Sequence, residues 1–72
     1  MAQPAESTLE MARRHVRDGE RRVARQEAIV VSLEKARHTE AAERGRTVLE
    51  TIRTSLAMMK RHLLEIEARA KR

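Results

Sequence analysis

The sequence has no Cys, Phe, Tyr or Trp, and it has one Pro and two Gly among its 72 residues. Without Cys there is no disulfide staple, no thiolate zinc site and no cysteine nucleophile. Without aromatic rings there is no platform for stacking nucleic-acid bases. Long apolar runs are missing too: no stretch approaches the ~18 residues a membrane-spanning helix requires. Residues Met1 to Thr8 carry neither a basic n-region nor an apolar h-region, so no secretory signal is read, and a cytoplasmic protein without a membrane partner is expected.

The shortage of helix breakers leaves a chain with 40% hydrophobic and 38% charged residues. Charge at that level without aromatics is a mark of disorder, but here the apolar residues recur at helical period, which argues for a fold. A single core in so short a chain supplies only about 3–5 kcal/mol, so self-association is expected.

The clearest signal runs from Leu49 to Ala70. Leu49, Ile52, Leu56, Met59, Leu63, Ile66 and Ala70 alternate spacings of three and four, forming one helical seam of a and d positions. A weaker copy runs through Leu9, Ala12, Val16, Gly19, Val23, Gln26, Val30 and Leu33, with small or polar residues at its d positions. Alone this would be a poor zipper, because Gly costs about 0.8–1.0 kcal/mol in a helix interior. Against the bulky second seam it fits, with Gly19 level with Met59, Ala12 with Ile66 and Gln26 with Ile52. The expected fold is all-α: an antiparallel, coiled-coil-like two-helix hairpin, pairing into a four-helix bundle dimer.

The spacing predicts helix 1 over about 7–37, a turn at about 38–39 and helix 2 over about 40–70, in a single domain spanning 1–72. Met1 to Glu6, with Pro4, forms a polar lead, and Ser7 with Glu10 has capping-box spacing. Two turns have sound local chemistry. One starts the second helix with Thr39 as cap and Glu40 in its first turn; the other carries the first helix to Arg44, uses Gly45 as terminator and restarts at Thr47 with Glu50. Charge favours the first. It pairs the e positions Arg13 with Glu67, Glu20 with Lys60, Glu27 with Arg53 and Glu34 with Arg46, all of opposite sign. A shift of one heptad brings like charges together. Such exposed pairs set register and add little stability.

The opposite flank holds the g positions His15, Arg22, Ile29 and Ala36 on one helix and Ala41, Val48, Ser55 and His62 on the other. It is the more apolar edge, and two helices cannot bury it by themselves. A homodimer edge of His15, Ile29, Val48, Ser55 and His62 is therefore expected, strongest in the loop-proximal half.

No catalytic, cofactor or metal residues are expected. His15 with Asp18 and His62 with Glu65 have ligand-like i, i+3 spacing, but a bundle metal site needs further inward carboxylates, and the seams hold none. No nucleophile–base pair or glycine-rich phosphate loop is present. The formal charge of +5 concentrates toward the termini, where Arg13, Arg14, Arg17, Arg21, Arg25, Lys60 and Arg61 form a face for an acidic protein partner or, as the second expectation, for nucleic acid through phosphate contacts. A plainly solvated Arg-rich face is the competing reading.

The run His15-Val16-Arg17-Asp18-Gly19-Glu20-Arg21-Arg22-Val23-Ala24-Arg25-Gln26, followed by Ile29-Val30-Val31-Ser32-Leu33-Glu34, resembles a group of short alphaproteobacterial proteins of the form HVxxGExxVxxQxxIVxxLE. The resemblance covers roughly residues 15 to 68 and rests chiefly on His15, Gly19, Glu20 and Gln26. It departs at the turn, where the group often carries Gly-His-Asp and this chain has Arg37-His38-Thr39. It implies a helical hairpin and brings no established activity.

Overall fold

The computed structural model describes residues 6–71 and contains two helices, α1 (Thr8–Lys35) and α2 (Thr39–Ala70), packed against one another. Of the expected polar lead, Met1 to Glu6, residues 1–5 lie outside the described residues.

Ser7 caps α1: its backbone is extended and its hydroxyl accepts from the Glu10 amide at 3.0 Å. Glu6, just before the cap, is bound by Arg14, whose Nη2 lies 2.9 Å and Nε 3.1 Å from its two carboxylate oxygens. The far end of α1 closes differently from expectation. The His38 amide donates to the Leu33 carbonyl at 2.9 Å and the Arg37 amide to the Glu34 carbonyl at 3.0 Å, the paired bonds of a Schellman motif. Such a motif needs a left-handed residue, and Arg37 supplies it at φ 61°. α1 therefore ends two residues short of the expected boundary. Thr39 is the first residue of α2, not its cap. His38 takes the cap position without a side-chain hydrogen bond, and its carbonyl accepts from the Ala42 amide at 2.9 Å.

Gly45 lies inside α2, so no terminator operates there. The core seam of α2 instead continues back toward the turn through Ala42 and Gly45, both buried, as are Leu49 and Leu56. On α1, Ala12, Val16, Gly19 and Val30 are buried, and Leu9, Val23, Gln26 and Leu33 are half-buried. Ile52, Met59, Leu63 and Ile66 are half-buried on α2, while Ala70 is exposed. Among the described residues no side chain is completely buried, as expected where one helix covers one other.

At the two glycines the helices approach closely. A Cβ built on Gly19 would lie 2.9 Å from Leu56 Cδ1 and 3.5 Å from Met59 Sδ; one built on Gly45 would lie 3.1 Å from Val30 Cγ2. Each helix thus offers a bare stretch of backbone to bulky side chains of the other. Gln26 adds a polar anchor, its Nε2 donating to the Gly45 carbonyl at 3.0 Å. It pairs nearer the turn than the expected level with Ile52, reaching back to the backbone carbonyl of Gly45.

Along one edge the ion pairs Glu34–Arg46 (3.5 Å), Glu27–Arg53 (3.2 Å) and Glu20–Lys60 (3.7 Å) cross between the helices. The fourth expected pair, Arg13 with Glu67, does not come within 4.0 Å among the described residues; it lies at the open end of the hairpin, farthest from the turn that fixes the register.

Candidate interaction face

The edge opposite the ion pairs is where the hairpin is unfinished. His15, Ile29, Val48, Ser55 and His62 are all exposed, and Ile29 and Val48 keep 43% and 48% of their surface in contact with solvent. Because Gly19 has no side chain and Ser55 has a short one, the helices leave a groove of about 170 Å³ between them on this side. Its walls are Gly19, Arg22, Thr51, Ile52, Ser55, Leu56 and Met59. The floor is aliphatic, and the guanidinium at Arg22 is the charged group of the lining.

A second, shallower hollow of about 490 Å³ runs along α2, lined by Thr47, Glu50, Thr51, Thr54, Ser55 and Met58. By composition this face reads as polar, yet the threonines spend their hydroxyls internally. Thr47 donates to the Glu43 carbonyl, Thr51 to the Thr47 carbonyl and Thr54 to the Glu50 carbonyl, at 3.2, 3.2 and 3.1 Å. With those hydroxyls satisfied, covering this face leaves them no orphaned donor. Met58 stands at its end, 66% exposed. The sequence reading missed Met58 and the threonines. The available signal was a second three–four spacing through Val48, Thr51, Ser55 and Met58, hidden because half of its members are hydroxyl residues.

The basic face is exposed at Arg13, Arg14, Arg17, Arg21, Arg25, Lys60 and Arg61, and acidic neighbours divide it. Arg14 is committed to Glu6, which holds the Glu6 carboxyl below its ordinary value and raises the guanidinium above its own. Asp18 lies 3.9 Å from Arg14 and 3.7 Å from Arg21, and Lys60 faces Glu20. Arg13, Arg17, Arg22, Arg25 and Arg61 make no ion pair within 4.0 Å among the described residues. Asp18, Arg21, Arg22 and Arg25 border a cleft of about 250 Å³.

Among the described residues no group of three or more His, Asp or Glu side chains is placed to hold a metal ion, and no helix is long and apolar enough to cross a membrane. His15 and His62, each with its i+3 carboxylate, are not brought into such a group. No protein-family model, curated protein or solved structure matches this chain.

Proposed function

We propose that this chain is a non-enzymatic interaction module, a helical hairpin that self-associates through the edge carrying Ile29, Val48 and Ser55 to form a four-helix bundle. The observation that carries this reading is the exposure of Ile29 and Val48 beside an aliphatic groove that the hairpin itself leaves open. A half-covered core and an apolar edge on one side are what a second layer of helices buries. The charged groups left over at Arg13, Arg17 and Arg61 would then serve an acidic protein surface by electrostatic steering.

Light scattering at low and high micromolar concentration tests the reading. A mass of two chains is expected, and Ile29→Glu returns it to one chain while helicity by circular dichroism is retained. A compact monomer at high micromolar concentration overturns it.

A second reading, nucleic-acid binding, is favoured by one observation: Arg22 and Arg25 border a cleft with Asp18 and Arg21 and, among the described residues, have no acidic partner within 4.0 Å. Phosphate contacts of that kind give affinity that falls steeply with salt. A titration with duplex DNA and with RNA at low and high salt decides it, since absence of binding at low salt removes this reading.

A further inference from the structure

We propose that the second copy docks with its turn at the opposite end, α2 lying antiparallel on α2 of the partner, so that Val48 meets the partner's Met58 and Arg44 the partner's Glu65. This rests on the self-association proposed above and specifies its geometry.

The docking surface follows from the sequence offset. Ala41, Arg44, Val48, Thr51, Ser55 and Met58 each immediately precede a residue of the hairpin core: Ala42, Gly45, Leu49, Ile52, Leu56 and Met59, all buried or half-buried. A one-residue offset on an α-helix is a rotation of about 100°. The second seam therefore faces close to a right angle from the first, which is the corner a square bundle of four helices requires. The same offset carries the seam on to His62 and Glu65.

The packing between α1 and α2 supplies the rule for antiparallel layers here. Gly19 faces Leu56 directly and Met59 one step further along, and Gly45 faces Val30. Applied to α2 against its copy, with the twofold axis crossing near Arg53, that rule gives Val48 against the partner's Met58 and Thr51 against the partner's Ser55, each occurring twice. Arg44 then stands to the partner's Glu65 as Gly19 stands to Met59. Large apolar meets large apolar, small meets small, and opposite charges close both ends. On α1 the same axis falls level with Arg22, so Asp18 comes toward the partner's Arg22 and Arg25 and lies between the two Arg22 side chains that the axis brings together.

The alternative, with both turns at the same end, stacks α1 over α2 of the partner. It matches Ile29 with the partner's Val48, but it sets Met58 over the partner's Asp18 and gathers both Arg-rich ends together, at a formal charge of +5 per chain. Opposed turns separate those ends. The available surface is ample. The hairpin exposes 6143 Å², against about 4,600 Å² for a compact chain of its mass. That excess exceeds the roughly 800 Å² per partner of a standard interface.

The chain has no cysteine, so introduced thiols report geometry cleanly. Val48→Cys and Met58→Cys proteins are prepared separately, mixed at high micromolar concentration and oxidised. A disulfide-linked dimer is expected in the mixture and in neither protein alone, while a mixture of Ile29→Cys with Val48→Cys stays unlinked. Arg44→Glu is expected to weaken association about tenfold, and adding Glu65→Arg to the same chain restores it. A protein that is monomeric by light scattering overturns the self-association reading and this one together. A dimer whose Val48→Cys and Met58→Cys mixture stays unlinked, or whose Ile29→Cys and Val48→Cys mixture links instead, overturns only the antiparallel geometry.

Discussion

The side-chain amide of Gln26 on α1 donates to the backbone carbonyl of Gly45 on α2 at 3.0 Å, a side-chain hydrogen bond between the helices that ends on backbone. The residue at the acceptor has no side chain, and a Cβ built there would lie 3.5 Å from the Gln26 nitrogen. The contact joins a polar d position to the absence of a side chain opposite it, and so ties the two helices at one height.

Replacing Gln26 separates its bonding from its bulk. Gln26→Ala removes both and is expected to lower stability by about 1 kcal/mol. Gln26→Leu keeps the volume and should stay within about 1 kcal/mol of the parent, because the half-buried site accepts an apolar chain of similar size. Urea unfolding followed by circular dichroism measures both. A Gln26→Leu protein destabilised as much as Gln26→Ala would show that the bond, and not the volume, carries the contribution.

Arg37 holds a left-handed backbone at φ 61°, a conformation that burdens a residue with a Cβ by roughly 1–2 kcal/mol relative to Gly. Its backbone donates within the Schellman motif, and its side chain is exposed. Arg37→Gly is therefore expected to raise stability by about 1 kcal/mol, with the larger freedom of Gly in the unfolded chain offsetting part of the gain. Thermal unfolding checks it, and a fall in midpoint would count against the strain.

At Gly19 two effects oppose each other. Gly19→Ala gains about 1 kcal/mol of helix propensity but pushes its Cβ to 2.9 Å from Leu56 Cδ1, so the buried Leu56 must turn and the net change is expected to be small. Gly19→Leu gains no more propensity and cannot fit without parting the helices, at a cost of about 1–3 kcal/mol. A pair of unfolding curves distinguishes them; equal stability of the two variants would mean the helices do not approach closely here.

The Glu6–Arg14 contact carries a pH dependence. The Arg14 guanidinium holds the Glu6 carboxyl below its ordinary 4.5, so the folded form binds that proton less readily than the unfolded chain does. The stabilisation is present above pH 4.5 and is lost as the pH falls through the lowered value. The stability difference between the parent and Glu6→Gln should accordingly shrink toward zero in acid. An NMR titration of the Glu6 carboxyl reads the shift directly, and a titration at or above the ordinary value would remove the basis for this dependence.

Leu49 through Ile66 are legible as a seam because Leu, Ile and Met carry a strong periodic signal, and the charges at Glu20, Glu27, Glu34, Arg46, Arg53 and Lys60 suffice to set the height of one helix against the other. Ala42 and Gly45 continue the same seam and were illegible for the opposite reason. Ala contributes little to any hydrophobic pattern, and Gly reads as a break until the bulk of Val30 opposite is known. The turn misleads because a left-handed residue is expected to be Gly, and Arg37 is not. The candidate face was half legible: Ile29 and Val48 announce themselves, whereas Thr47, Thr51 and Thr54 look polar until their hydroxyls are traced to the preceding turn.

The hairpin is 51 × 32 × 13 Å, a plate one helix thick with unlike edges. Along one edge Glu20, Glu27 and Glu34 each answer a cation on the neighbouring helix of the same chain. Charges satisfied at home give an incoming chain little to join along that stretch, and Arg13 and Glu67 at the open end are the pair left over. Growth from that edge gains little, so if the opposite side is covered as proposed, assembly would stop there, in a closed particle and not a fibre.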